Sequence, residues 1–270
     1  MTEDPTVGPE FFASLGEAVE PTFIRRAEHF DALPSTNDRA LEIAASLPAS
    51  AVPLLILADR QTAGRGRGRN KWFASEGVLT FSIVLEPETW KIPPELWPRL
   101  SVAVGGAVAS ALAKSTGPDR PLLKWPNDVW IRDRKVCGIL IETSPAAPRR
   151  LVVGIGINVS NEFVGAPADV ATRGIALSQV SVAAVPDRFS VLHDVLQQLD
   201  GDFRLLGEGA AELIERWRKI CALTGRMVAI GEVDRVVSGV CAGLEDDASL
   251  LIRTEWGPQR CYAGTVTVMD

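Results

Sequence analysis

After Thr224-Gly225 the chain changes texture. Short β-like runs at Met227–Ile230, Val236–Ala242, Ser249–Thr254 and Cys261–Val268 alternate with Gly and Asp turns to the C-terminus. Runs this short, within fewer than fifty residues, bury their apolar faces only against one another, which makes a small β-barrel or sandwich. Whatever precedes must supply its own core. Residues 30–223 carry strand-like and helix-like patterns in mixture, while residues 1–29 read as a leader with one frayed helix. Twenty-nine residues are too few for a helix-turn-helix module with its own core. The expected organisation is therefore a leader (1–29), a mixed, mainly antiparallel α+β domain (30–223) and a β module (224–270).

Within the larger unit, Ser35-Thr36-Asn37-Asp38 opens a helix over 37–47 that Pro48 and Pro53 end. Pro53–Ala58 and Val78–Leu85 read as buried strands, and Leu100–Lys114 as a buried Ala/Val helix beyond a linker with four prolines. Leu122–Pro126 is a strand entering a turn at Asn127-Asp128. Val129–Ile131 and Val136–Glu142 form a hairpin about Arg132-Asp133-Arg134. Leu151–Val159 is a strand whose Gly154 and Gly156 mark a close approach, and 186–223 is helical.

Composition narrows the function classes. The net charge of −6 speaks against a general nucleic-acid binder. The N-terminus has no basic-then-apolar signal, and the apolar runs, such as Val52–Ala58, are far shorter than a membrane span. The four cysteines form no C-x-x-C pair and have only His29 and His193 as helpers, so neither a structural zinc site nor a disulfide framework is expected. The cytoplasm is the simplest setting.

Four segments carry chemistry. In Gly64-Arg65-Gly66-Arg67-Gly68-Arg69-Asn70-Lys71-Trp72, alternate glycines let the backbone approach a ligand, and the arginines offer forks for phosphate or carboxylate. A solvated basic loop or an RNA-binding Arg-Gly tract fits the same residues. The loop is neither a dinucleotide fingerprint nor a Walker A loop, since the glycine spacing and the Lys-Ser/Thr ending are missing. Lys124-Trp125-Pro126-Asn127-Asp128 suits a site orienting a nucleotide and Mg²⁺, or is simply a good turn. In Arg134–Glu142, Lys135 is either an edge charge or a counter-charge to a leaving pyrophosphate, and Cys137 is a small buried hydrophobe rather than a nucleophile. Gly154-Ile155-Gly156-Ile157-Asn158 is weak alone, and Ser35 and Thr36 are equally a helix cap.

In order and spacing, Ser-Thr-Asn, Gln-x-x-Gly-Arg-Gly-Arg, Lys-Trp-Pro-Asn-Asp, Arg-Lys-x-x-Gly-Ile-Leu and Gly-Ile-Asn together resemble the biotin–protein ligase family, from about Phe30 to Val159. The resemblance implies a catalytic domain like those of class II aminoacyl-tRNA synthetases, followed by an SH3-like β domain. It implies two steps: biotin and Mg·ATP give biotinyl-5′-AMP, and a lysine of a biotin carboxyl carrier protein then attacks that adenylate. It further implies that Ser35, Thr36 and Gln61 bond the ureido ring, and that Gly64 and Arg65 line the loop over the adenylate. Arg67 would contact phosphate, Trp72 would pack over the ligand, and Asn127 and Asp128 would lie near nucleotide and Mg²⁺. Lys135 would bridge the biotin carboxyl and the α-phosphate, Gly138 and Ile139 would wall the biotin pocket, and Asn158 would reach the adenylate. Arg65, Arg67 and Lys135 are thus the expected catalytic residues, and Asp128 the expected Mg²⁺ ligand. Dimerisation through sheet edges is common in the resembling family, which puts a homodimer among the implied assemblies.

Three departures qualify the resemblance. Arg69 stands where bacterial relatives often carry glycine, and the C-terminal basic residues that contact ATP in some relatives have no counterpart near Ala229 or Met269. The family's N-terminal DNA-binding domain is missing, so a monofunctional ligase without repressor activity is expected, and operator binding in a gel shift would overturn that. Rival readings are a lipoate or octanoate ligase, an RNA-binding protein, and an inactive homologue.

Overall fold

The computed structural model describes residues 9–232 and 234–269. The first eight residues of the expected leader therefore lie outside the described residues. From Pro9 the chain runs helix α1 (Pro9–Val19), strand β1 (Arg26–Leu33), α2 (Thr36–Ile43), β2 (Leu54–Gln61) and β3 (Val78–Leu85). Then come α3 (Leu100–Thr116), β4 (Leu122–Lys124), β5 (Asp128–Ile131), β6 (Arg134–Ser144) and β7 (Ala147–Asn158). Three helices follow, α4 (Ala168–Arg173), α5 (Arg188–Glu208) and α6 (Ala211–Lys219). The chain ends in β8 (Met227–Gly231), β9 (Val236–Leu244), β10 (Leu250–Thr254), β11 (Gly257–Cys261) and β12 (Thr265–Val268).

Seven strands form one sheet in the order β1-β2-β3-β7-β6-β5-β4. Only the β1–β2 pair is parallel, because α2 carries the chain back between them. The last five strands form a separate antiparallel sheet in the order β11-β10-β9-β8-β12. The architecture is thus α+β with a small C-terminal β module.

Strand β3 is buried along its whole length, and its alternation divides the molecule. Leu79, Phe81, Ile83 and Leu85 enter the main core, shared with α3 and α5. The intervening Thr80, Ser82 and Val84 face the other side, where Val84 joins Ala40, Ala44, Leu54, Ile56 and Val152 in a smaller cluster with α2. Two polar residues inside a buried strand mark the face that carries the site. The helical stretch Pro94–Thr116, which ends in α3, is long and apolar enough by composition to cross a membrane, but α3 packs against α5 and the sheet with most of its residues buried.

Two strands escape a sequence reading for physical reasons. Strand β1 (Arg-Ala-Glu-His-Phe-Asp-Ala-Leu) has no apolar run because it is an edge strand with one partner and an exposed end. Strand β11 contains Pro258, which resembles a turn residue but is tolerated because β11 is also an edge. Helix α1 packs on α5 with Leu15 fully buried, and His193 Nδ1 lies 3.0 Å from the Ala18 carbonyl.

Candidate functional site

A cleft of about 710 Å³ opens on the Thr80 face of the large sheet. Its walls come from the start of α2, the 65–73 segment, the strands β6 and β7, the 163–174 segment and strand β12. Of the residues singled out in the sequence, Ser35, Thr36, Gln61, Arg65, Arg67, Trp72, Asn127, Asp128, Lys135, Gly138, Ile139 and Asn158 all line it. Gly64 is not among the lining residues.

One end is built from hydroxyls and amides. Ser35 caps α2 by accepting the Asp38 amide, as its residue type predicts. The Thr36 amide donates to Gln61 Oε1 at 2.7 Å. The Thr36 hydroxyl lies 3.1 Å from that same oxygen and 2.7 Å from Ser82 Oγ. Ser82 Oγ is also 2.6 Å from Asn37 Oδ1, while Asn37 Nδ2 donates to the Leu140 carbonyl and to Glu142 Oε2. Gly154, opposite Ser82 on β7, leaves room for this amide: a Cβ there would meet Asn37 Oδ1 at 2.0 Å.

The opposite end is electrostatic. Asp128 pairs with Lys135 at 2.6 Å and lies 3.8 Å from Lys124, with Arg67 close enough to feel its charge. Burial pushes the Lys124 ammonium below the ordinary lysine range; Asp128 opposes this, while Lys135 and Arg67 add to it. Burial likewise lowers Arg67 against the pull of Asp128. Three cations thus surround one carboxylate in a partly dry corner, a set short of negative charge and suited to a polyanion. Asn127 is held in the adjoining turn by its own hydrogen bonds to the Ile139 backbone, at 2.8 and 2.9 Å. Asn158 donates to the Lys135 carbonyl and accepts from Asn161, so it steadies the strand that carries Lys135.

Between the two ends lies the indole of Trp72. It sits on the facing glycines Gly138 and Gly156, where a Cβ at 156 would meet its ring at 2.3 Å. Lys135 Nζ lies 5.7 Å from its ring centroid. Trp72 Nε1 and Thr80 Oγ1 are buried and have no hydrogen-bond partner among the described residues. Buried polar atoms of this kind are places for a ligand or water to bond.

The Arg-Gly segment is a small hairpin rather than a solvated tract. Trp72 N–H donates to the Gly64 carbonyl and Gly66 N–H to the Asn70 carbonyl, each at 2.9 Å, around a turn where Gly68 takes φ +66°. Gly64 serves this hairpin: a Cβ there would lie 2.4 Å from the Trp72 carbonyl oxygen. Arg65 turns towards α2 and β6, forking onto Glu142 at 2.8 and 2.6 Å and reaching Asp38 at 2.7 Å. Arg67 donates to the Gly264 carbonyl, and Thr265–Val268 line the cleft. The C-terminal module therefore contributes backbone to the site although it lacks the basic residues expected near Ala229 and Met269.

Ile139 borders the cleft through its backbone, while its side chain belongs to the core and faces α3. Cys137 is fully buried, and burial pushes its thiol far up, as suits a packing residue. A sequence reading gives no site role to Ser82 or Glu142, nor to Asn37 and Asp38, which it places only at the start of α2. Their signal is polarity at even positions of otherwise apolar strands and at the first turn of α2, with Asn37 also closing the Ser-Thr-Asn motif.

The model of the biotin/lipoate A/B protein ligase family matches residues 30–159. The chain is 31% identical to the biotin–[acetyl-CoA-carboxylase] ligase of Paracoccus denitrificans, over 86% of this chain and 96% of that one. It is 31% identical to the Mycobacterium tuberculosis ligase of the same name, over 81% of this chain and 79% of that one. Among solved structures, the biotin protein ligase from Aquifex aeolicus in complex with biotin and ATP superposes with a TM-score of 0.76. It shares 29% identity over 91% of this chain and 99% of that one. With its motifs gathered in one cleft and these relatives along most of its length, the chain belongs to the biotin/lipoate A/B protein ligase family.

Proposed function

We propose that this protein is a biotin–protein ligase that forms biotinyl-5′-AMP from biotin and Mg·ATP and transfers biotin to a lysine of a biotin carboxyl carrier protein. The observation that carries the reading is the division of one cleft into a neutral hydroxyl–amide end and a cationic end, with an indole between them. The neutral end, Ser35, Thr36 and Gln61, suits a cyclic urea. The cationic end, Lys124, Arg67 and Lys135, suits a triphosphate. Lys135 stands where the biotin carboxylate and the α-phosphate meet. Neutralising both anions is what lets one approach the other.

In the first step a biotin carboxylate oxygen bonds to the α-phosphorus and the bond to the bridging oxygen of pyrophosphate breaks. In the second, the carrier amine attacks the acyl carbon and AMP leaves, the amine losing a proton. Neither step needs a covalent enzyme residue. Arg67 meets phosphate, Trp72 covers the adenylate, and Asn127 and Asn158 hold the nucleotide end. Gly138 and the Ile139 backbone wall the biotin side, and Gly64 acts by shaping the hairpin. Arg65 acts from its Glu142–Asp38 clamp, ordering the hairpin that shields the mixed anhydride from water.

Asp128 is the carboxylate nearest the triphosphate end, but it already answers two lysines. It does not make a metal site alone; Asp128 would hold Mg²⁺ together with the phosphates of the nucleotide, and the ion would offset their charge. Four free cysteines and a need for ATP accord with a cytoplasmic setting. The test is biotin-dependent ATP–pyrophosphate exchange, with octanoate and lipoate as controls. Exchange with biotin alone is expected. Exchange with lipoate would overturn the substrate, and no exchange with any of them would overturn the activity.

A further inference from the structure

We infer that Trp125 is a positioning residue: its indole N–H holds the C-terminal module, and through that bond the docking of the module sets the places of Lys124 and Asp128. The inference rests on the ligase reading above and deepens it by naming what aligns the cationic end.

Lys124 and Asp128 stand opposite one another at the end of the β4–β5 hairpin, so Trp125, Pro126 and Asn127 are the whole turn between them. The two charged residues line the cleft, whereas Trp125 belongs to the core and is 1% exposed. Each turn residue is tied to a different element. Asn127 exchanges hydrogen bonds with the Ile139 backbone on β6, and the Pro126 carbonyl accepts from Ser101 Oγ on α3 at 2.9 Å. Trp125 Nε1 donates at 3.0 Å to the carbonyl of Ala248, in the turn between β9 and β10 of the C-terminal sheet. One of the three ties that fix this turn therefore comes from the module.

The same module turn is gripped from a second side. Arg218 on α6 donates through Nε to the Leu244 carbonyl at 2.9 Å and pairs with Asp246 at 2.5 Å. The other end of the module reaches the cationic corner directly, where the Gly264 carbonyl accepts from Arg67 and Thr265–Val268 line the cleft. Without the Trp125 N–H, the Ala248 carbonyl is left buried and unpaired, a cost that falls if the module turn moves out to water. That movement loosens the 124–128 turn and withdraws the carbonyl that steadies Arg67. Cations that hold phosphates alike before and during reaction act through KM rather than kcat.

The test is pyrophosphate exchange by the full chain at varied ATP and saturating biotin, with biotin affinity measured by calorimetry. Trp125→Phe keeps an aromatic ring and removes the donor, and it should raise the KM for ATP by about tenfold. Its kcat should stay within about threefold of wild type and its biotin affinity within about twofold. Arg218 does not line the cleft, yet Arg218→Met frees the same module turn and should raise that KM too. If both act through the module, the double variant is no worse than the larger single one, whereas independent effects multiply.

An unchanged KM with a lower kcat in Trp125→Phe would mean only a smaller folded fraction and would overturn the inference. Multiplying effects in the double variant would overturn it as well. Should Trp125→Phe fail to fold, Arg218→Met decides, and an unchanged KM for ATP there sinks the idea. Exchange by wild type with lipoate in place of biotin would overturn the biotin reading alone, and the same comparison then runs with lipoate, because ATP serves both. No exchange with either acid would overturn both.

Discussion

Gly156→Ala puts the placement of Trp72 to the test. An alanine methyl at 156 would stand 2.3 Å from Trp72 Cε2, 2.5 Å from Cζ2 and 2.6 Å from Nε1. Ordinary contact is about 3.5 Å, so the indole edge must retreat by on the order of 1 Å. Were the indole locked in a rigid core, the overpacking would cost about 1–3 kcal/mol. In a chain of this size that lowers the melting temperature by roughly 2–4 °C per kcal/mol. Trp72 is instead held by a hairpin that owes its shape to a few backbone hydrogen bonds and the Arg65 clamp, and it can yield by moving that hairpin. The expected result is a melting temperature within about 2 °C of wild type and a KM for ATP raised about tenfold, because a misplacement of this size loosens the cover over the nucleotide. Thermal unfolding and pyrophosphate exchange at varied ATP measure the two. Trp72→Ala and the double variant Trp72→Ala/Gly156→Ala should then resemble one another, since the methyl no longer has a ring to displace. A fall of more than about 5 °C with an unchanged KM would refute the reasoning, showing a pinned indole with no part in nucleotide binding.

Other outcomes follow from the same geometry. Lys135→Ala and Arg67→Ala should each slow adenylation by about a hundredfold or more with the fold retained; wild-type exchange rates in both would refute their roles. EDTA should abolish pyrophosphate exchange while leaving biotin affinity by calorimetry within about twofold, since the neutral end makes no use of metal. At Asp59, burial opposes ionisation, but the His29 hydrogen bond and the charges of Arg188 and His29 outweigh it, so its carboxyl titrates below the ordinary aspartate range. The stability this contributes is present above the ordinary aspartate value and is lost as pH falls through the lowered one. Asp59→Asn should therefore flatten the pH dependence of denaturant unfolding between about pH 5 and pH 2, and an unchanged slope would refute the assignment.

Strand β3 was legible because eight apolar or small residues in a row have no helical period, and the structure places it at Val78–Leu85. Helix α3 was legible from its Ala/Val content and ends within two residues of the expected position. The β1 edge strand was not legible, because an edge with a solvated end has no apolar pattern to detect. At the site, glycines in the β7 strand announced a close approach but not what approaches. Asn37 fills the space at Gly154 and the Trp72 indole fills that at Gly156.

By itself the sequence determined which chemical groups the protein owns and in what order: hydroxyls at a helix start, an arginine–glycine loop, a lysine and a carboxylate at a Pro-bearing turn. These follow from local spacing, and local spacing is what a chain records directly. Only the tertiary structure decided how those groups pair. Arg65 meets Glu142 across 77 positions, Thr36 meets Ser82 across 46, and Arg67 meets the Gly264 carbonyl across 197. Hydrogen-bond direction and charge balance depend on which partners stand within about 3 Å, and sheet register and the docking of the C-terminal module bring those partners together.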